Sequence, residues 1–511
     1  MTTLEHLYYG FTVALVPGNI LAVFIGAILG LIVGALPGIG ALTGVALLLP
    51  LTFSFDPTTA VIMLAGIYYA NMYGGAYSAI LLNIPGDSSA VMTALDGYPL
   101  AKQNKAGKAL FTANMASFVG GTIGMITLTF IGPAMAQIGI RFGPAEMASL
   151  LLLAMTSLGW LVGENPLKGM VSTMLGILIG TVGLDAVNGS PRFDFNVLEL
   201  LGGVPFIPLV IGVFGFSQLI SMMVDKDKRY ELASQKLSIR DSLLSARELK
   251  DITGPTLRSG VLGTVVGILP GAGGAIGSFL GYVLEKKIGK NKENMGKGAI
   301  QGVAASEAAN NSAVAGAFAP LLSLGIPGSG TTAVLLGGLI MWGLTPGPML
   351  FQTSPEFTWG LIASLYVANV ITLAIGMALI PFLVNIARVP MRLLIPIITI
   401  VCFMGSYSAT NSLYGVIVML IAGFLGFLFN YGKYPAAPFL LAYVLSPMLE
   451  VNTRNAFIVA KGSPLIFIEK PISLAFLLLL AATLAMPLFK SVKRKLKGNG
   501  ESAAGEDEEE E

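Results

Sequence analysis

The stretch that decides the fold is GALPGIG, Gly34 to Gly40, because it returns as GILPGAG, Gly267 to Gly273, 233 positions later. Gly30 then falls on Gly263, and Gly44 on Gly277. A second string, NIPGDSS (Asn83 to Ser89), is echoed by GIPGSGT (Gly325 to Thr331) at a shift of 242, which also sets Gly74 on Gly316. A third set matches at 246: Gly159 with Gly405, Asn165 with Asn411, Gly169 with Gly415 and Gly180 with Gly426. Common use of Gly and Pro produces one such match by chance. Three in the same order, at similar shifts, point to an internal duplication.

These strings lie in a strongly apolar chain. Of 511 residues, 54% are hydrophobic and 11% charged, and the mean hydropathy is +0.78. Soluble domains carry about a quarter of their residues as charges, so a soluble enzyme and a disordered protein are excluded. The apolar content leaves room for roughly ten to thirteen spans of about 20 residues. An all-α polytopic membrane protein of roughly twelve spans is therefore expected. Pro in a helix interior removes a hydrogen bond, and Gly weakens the turn further. The Pro-Gly strings should split helices or form re-entrant segments. Lipid tolerates such breaks only where protein or a wet cavity satisfies the freed backbone groups.

Basic residues indicate how the halves sit, because cytoplasmic loops are enriched in Lys and Arg. In the first half, Phe53 to Thr59 has none, while Lys102, Lys105 and Lys108 follow the second string. In the second half the loop between strings carries Lys286, Lys287, Lys290, Lys292 and Lys297, and Leu344 to Phe357 has none. Equivalent loops thus fall on opposite sides, the pattern of inverted-topology repeats in secondary transporters. The expected organisation is a first repeat at 10–224 (motifs 26–100), a cytoplasmic linker at 225–257 and a second repeat at 258–465 (motifs 260–350). A final transmembrane helix at 471–490 and a cytoplasmic charged tail at 491–511 complete it. The N-terminus is expected outside and the C-terminus inside. Arg454, Lys461 and Lys470 fit less well, since this scheme puts them outside. No Lys or Arg precedes Lys102, which argues against a cleaved signal peptide. A net charge of +2, with no basic face, implies no nucleic-acid partner. The lone Cys402 reads as helix packing, and the lone His6 excludes a multi-histidine metal site.

Freed N–H groups at a half-helix start carry partial positive charge and bind anions without Lys or Arg. Pro37, Gly38 and Gly40, with Gly271 and Gly273, are therefore candidate carboxylate-binding positions; kinks or tight helix packing are the alternative. Ser88 and Ser89, and Gly328, Ser329, Gly330, Thr331 and Thr332, add hydroxyls beside a helix breaker. Ordinary N-capping is the alternative there. Candidates for cation coupling, with Na⁺ as a possible metal, are Asn71, Asn83, Asp87, Glu307, Asn310 and Asn311. Glu307 lies ten residues past Lys297, about 15 Å if helical from there. An ionisable group at that depth is functional by default; a later helix start would leave it near the surface. No nucleophile elbow or Walker A loop occurs, so no enzymatic activity and no cofactor beyond a coupling ion are expected.

The strings GALPGIGALTGVALLLPLTF, GGAYSAILLNIPGDSSAVMTALDGYPLAK and SEAANNSAVAGAFAPLLSLGIPGSGTTAVLLGGL closely resemble the large membrane subunit of the tripartite tricarboxylate transporters, the TctA type. The resemblance spans roughly residues 10 to 490 and leaves out the acidic tail. It implies a bacterial inner-membrane permease importing citrate or other carboxylates on a Na⁺ or H⁺ gradient. It also implies two partners, a small membrane subunit and a periplasmic solute-binding protein. The alternative is an ion channel or cation exchanger with no organic substrate; a structural subunit is a weaker third.

Overall fold

The computed structural model describes residues 2–36, 39–161, 165–224, 237–271, 273–382 and 391–485. Pro37, Gly38, residues 225–236 of the linker and the charged tail lie outside them.

The first half runs α1 (Thr3–Ala14), α2 (Pro17–Ala35), α3 (Ala41–Leu48), α4 (Pro57–Leu82), α5 (Val91–Lys102) and α6 (Ala106–Gly139). It continues through α7 (Pro144–Leu161), α8 (Pro166–Gly180) and α9 (Phe206–Val224). The second half runs α10 (Ala246–Ile268), α11 (Gly273–Ile288), α12 (Ile300–Leu324), α13 (Gly330–Met341) and α14 (Pro355–Leu379). It ends with α15 (Met391–Thr410), α16 (Leu413–Tyr431), α17 (Ala436–Val459) and α18 (Pro471–Ala485). Among the described residues the β structure is one two-residue antiparallel pairing, Gly183–Leu184 with Pro191–Arg192, a minor departure from all-α.

Among the described residues, six stretches are long and apolar enough to cross a membrane: Pro17–Ala35, Ala106–Gly139, Phe206–Val224, Pro355–Phe382, Leu393–Thr410 and Leu413–Tyr431. The chain is a multi-pass helical membrane protein. At its centre stand α4 and α12, buried nearly all round. Their polar residues (Tyr, Asn and Gly in α4; Gln, Glu, Asn and Ser in α12) lower the hydropathy, which is why apolar length alone does not find them.

Small residues bring the neighbours in. The carbonyls of Ile67 and Asn71 occupy the space a side chain would need at Gly30 and Gly34 of α2. The carbonyls of Ala309 and Ala313 do the same at Gly263 and Gly267 of α10. These contacts repeat at the two sequence shifts: 30 and 263, 34 and 267 differ by 233, while 67 and 309, 71 and 313 differ by 242. Backbone contact of this kind is how helices associate where lipid offers no hydrophobic drive.

Ion pairs fasten the halves outside this core. Arg454 reaches Asp185 at 2.8 Å and Glu450 at 2.7 Å, and Arg192 joins Glu450 at 2.7 Å. Arg454 is thus a structural partner of Asp185, whatever its side of the membrane. The Arg454 guanidinium and the Asn188 amide hold the Asp185 carboxyl far below the usual carboxylate range. Elsewhere, Lys108 meets Glu248 at 2.6 Å. Burial opposes the Glu248 charge, but Lys108 and the Ser245 amide and hydroxyl outweigh it and hold the carboxyl at about 2. His6 stacks on Trp359 at 5.2 Å, and Cys402 is buried.

Candidate functional site

Each half breaks its helices twice. The first break separates α2, ending at Ala35, from α3, starting at Ala41; its counterpart separates α10 from α11. In that counterpart Gly271 and Gly273 take φ of 81° and 58°, a left-handed region that strains other residues. Leu158 of α7 packs where Gly271 would carry a side chain. The second break follows α4 and α12, which end in left-handed caps at Asn83 (φ 58°) and Gly325 (φ 70°). Gly86 then rests on the Gly34 carbonyl, and Gly328 on the Gly267 carbonyl. Each second break is thereby pressed against the first break of its own half.

Asp87 fastens the first pair of breaks. Its Oδ2 accepts the Ala41 amide at 3.0 Å, and its Oδ1 accepts the Ser89 amide at 3.0 Å. The hydroxyls of Ser89 (3.1 Å) and Ser88 (3.3 Å) also donate to Oδ1. Ser329 stands at the equivalent place in the second half. It caps α13, its Oγ accepting the Thr332 amide at 3.2 Å while its own amide donates to Thr332 Oγ1 at 2.8 Å. N-capping is therefore present at both positions. It also leaves the first-turn amides of α13 without intrahelical partners.

The halves meet here. Ser89 of the first half lies beside Gly274 of the second, while Ser329 lies beside Gly273 of its own half. The Tyr68 and Ser329 hydroxyls are 3.1 Å apart, although 261 residues separate them. A cavity of about 160 Å³ opens between three of the breaks and Leu42 at the start of α3. Asp87, Ser88 and Ser89 line it from the first half; Gly271, Gly273, Ser329, Gly330 and Thr331 line it from the second. Tyr68 and Met72 of α4 form another wall, and Leu158 and Ala437 close it from α7 and α17. No Lys or Arg reaches it among the described residues. The volume is well below the roughly 300–1,000 Å³ of drug-sized pockets, so a small solute is the fitting occupant.

The remaining candidates fall elsewhere. Thr332 and Gly328 are buried behind the lining, Gly40 abuts the Asp87 carboxylate, and Asn83 is exposed outside the cavity. Asn71 and Asn310 are fully buried, near Gly44 and Gly274, with neither amide nitrogen nor oxygen hydrogen-bonded. Glu307 and Asn311 belong to a second buried cluster. The carboxylate accepts a short hydrogen bond from Thr93 Oγ1 and one from Ser117 Oγ at 3.1 Å. The Asn311 Nδ2 donates to Ser117 Oγ at 2.7 Å and to the Glu307 carbonyl at 3.1 Å. Because α12 starts at Ile300, Glu307 lies about 10 Å along the helix, not 15 Å from Lys297. It is nonetheless fully buried, which disposes of the surface alternative.

Sequence reasoning missed Tyr68, Leu158 and Ala437, which carry no motif. It also missed Asp96, fully buried, whose Oδ1 accepts the amides of Gly296, Gly298 and Ala299 at 2.8–2.9 Å and whose Oδ2 accepts the Tyr282 hydroxyl at 2.9 Å. This carboxylate of α5 ties down the loop that starts α12. Its signal in the sequence is an acid between two apolar turns of a short helix.

Comparison with known proteins agrees with this architecture. The pattern of the tripartite tricarboxylate transporter TctA family matches residues 20–441. An uncharacterised 52.8 kDa protein in the TAR-I ttuC' 3' region of Agrobacterium vitis is 38% identical over 495 residues, covering 97% of this chain and 98% of that protein. A second Agrobacterium vitis protein, in the TAR-II ttuC' 3' region, is 38% identical over 234 residues, 46% of this chain and 96% of that protein. No solved structure matches. With helix breaks of both halves lining one small cavity and a family pattern running across it, the chain belongs to the tripartite tricarboxylate transporter TctA family, as a permease component.

Proposed function

We propose that the chain imports tricarboxylates or related carboxylates as the permease subunit of a binding-protein-dependent secondary transporter. A Na⁺ or H⁺ gradient drives it. The observation that carries this reading is the cavity where Ser329, Thr331 and the first turn of α13 stand opposite Asp87, whose carboxylate takes up the Ser88 and Ser89 hydroxyls, with no basic residue. Such donors hold a carboxylate through partial charges. Asp87 places a negative charge on one wall. A bound acid must then sit toward Ser329 to Thr331 or arrive with a cation. The unbonded amides of Asn71 and Asn310, buried behind the breaks, supply oxygens for that cation.

The repeated backbone contacts of α2 on α4 and α10 on α12 support two duplicated halves, and the alternation of basic loops supports their inverted orientation. In this reading the breaks form a mobile unit that moves against α7 and α17 in an elevator-like step. Leu158 and Ala437 are the points of contact. The small membrane subunit and the periplasmic solute-binding protein are the partners, in a bacterial inner membrane with the N-terminus periplasmic. The test is uptake of labelled citrate into vesicles holding the complete complex. Accumulation that needs both the binding protein and an imposed Na⁺ or H⁺ gradient supports the reading. Cation flux indifferent to carboxylate replaces it with the channel or exchanger alternative.

A further inference from the structure

We propose that Glu307 is a proton-binding site separate from the carboxylate cavity, and that its proton is the coupling ion. This rests on the transport reading above and names its ion. Glu307 is fully buried between α12, α5 and α6, and its contacts are all neutral donors: Thr93 Oγ1, Ser117 Oγ and, at 3.5 Å, Asn311 Nδ2. Among the described residues no Lys, Arg or His pairs with it. From α4 it is faced by Tyr73 and Tyr77. On α5, Asp96 lies three residues past Thr93 and is held by backbone amides and Tyr282 of α11. Lys108 of α6 is taken by Glu248, and Arg258 of α10 by Glu285 of α11. An isolated buried carboxylate is costly by several kcal/mol, so Glu307 must take up a positive charge.

Hydrogen-bond direction argues for a proton over a metal ion, since donated hydrogen bonds steady the carboxyl group but burial still disfavours its charge. Asn311 Nδ2 donates to the Glu307 backbone carbonyl, which can only accept, so the amide presents hydrogens toward the carboxyl group and its oxygen points away, unbonded. That suits an acid and not a metal ion, which needs oxygen lone pairs. Thr93 Oγ1 also lies 2.9 Å from Ser306 Oγ, which donates to the Val303 carbonyl at 3.1 Å. With a proton on Glu307, one chain uses every donor: carboxyl to Thr93, Thr93 to Ser306, Ser306 to Val303. Without it, Thr93 must turn its single hydrogen back to the carboxylate, and Ser306 loses a donor. Loading therefore forms one O–H bond on a Glu307 oxygen, from water on the proton-rich side. Unloading breaks it and returns the proton to water on the other side.

The switch touches the cavity through two short paths. Thr93 lies one turn beyond Ser89, on the helix that continues from the Asp87 break. Asn310, three residues past Glu307, has its amide against Gly274 at the opposite break. Loss or gain of the proton thus acts on both walls.

The experiment compares wild type with Glu307→Gln, which keeps the shape of the neutral acid, in vesicles holding the whole complex. In the wild type a gradient of one pH unit should accumulate carboxylate up to about tenfold per coupled proton. Glu307→Gln should abolish this accumulation while keeping carboxylate counterflow within about fivefold and independent of pH, since one hydrogen bond is worth about 1 kcal/mol. Infrared spectra of the purified protein should show a protonated-carboxyl carbonyl band that disappears in Glu307→Gln, a readout that needs no substrate. The proposal is overturned if the variant still follows the pH gradient, if a folded variant loses counterflow, or if the band is unchanged. It is equally overturned if wild-type uptake at clamped pH follows Na⁺ and Glu307→Gln removes that dependence. Thr93→Val, which cuts the chain but leaves the acid, should keep coupling and shift its pH dependence. A wild type that moves no carboxylate refutes the transport reading, and the infrared band still decides the proton.

Discussion

The two second breaks use one backbone plan for different chemistry. Asn83 and Gly325 close their helices in the same left-handed turn, and Gly86 and Gly328 rest on the equivalent carbonyls of Gly34 and Gly267. At the next equivalent position one half carries Asp87 and the other Ser329. Asp87 spends its oxygens binding the first break together through Ala41 and Ser89. Ser329 instead closes a capping box within its own helix, and the adjacent Gly330 and Thr331 line the cavity. Duplicated geometry thus supplies the frame, and divergence at one side chain supplies a charged wall and a donor wall.

The largest expected effect tests the shared frame. Gly34→Leu and Gly267→Leu each force a side chain into a backbone carbonyl, at about 3 kcal/mol or more. Both should abolish the folded peak in size-exclusion chromatography of detergent extracts. If one half tolerates the change, the equivalence breaks.

The next tests the divergence. Asp87→Asn removes charge-assisted hydrogen bonds worth about 1.5–3 kcal/mol, and carboxylate uptake should fall roughly 10- to 100-fold. Ser329→Ala removes a cap worth about 1 kcal/mol, so about a fivefold loss is expected. Ser329→Asp, which sets a second negative wall opposite the first, should be worse than Ser329→Ala. A Ser329→Asp variant as active as wild type would show that the walls are interchangeable.

The buried amides give a smaller and opposite effect on stability. An unbonded buried amide costs about 1–3 kcal/mol. Asn71→Leu and Asn310→Leu should leave the melting temperature unchanged or raise it, while uptake falls. A drop in melting temperature for either would mean its amide holds the fold.

The smallest effect concerns the pair that joins the halves away from the cavity. In the fold Glu248 is held at about 2, below its ordinary 4.5. Its contribution is complete above that ordinary value and is lost as pH falls toward the folded one. Lys108→Met should therefore lower thermal stability at about pH 6, less so at about pH 3, and have little effect only below about pH 2, with a difference of at most about 1 kcal/mol for a pair this exposed.

Much of the frame was legible because its signals are local. Pro and Gly break helices wherever they stand, so ALPGIG and NIPGDSS announced the gaps before Ala41 and after Leu82. The cavity walls were less legible. Tyr68 opens a polar stretch, Tyr68 to Ala79, in which Asn71 is the residue that draws notice, and Ala437 and Leu158 are ordinary apolar helix residues. Asn83 drew notice by its chemistry but serves as a helix end, outside the cavity. Glu307 stood out as an acid in an apolar run, but its Thr93 and Ser117 partners lie 214 and 190 residues away.

Composition and spacing alone determined that this chain is helical, spans a membrane and carries matched breaks, because transfer to lipid and helix propensity act residue by residue. Only the tertiary structure decided that Ser89 meets Gly274, that Tyr68 meets Ser329, and that Asp96 anchors the start of another helix. Those choices depend on which helices close-pack through small residues, and a sequence period reports one helix's own face but not the face set against it.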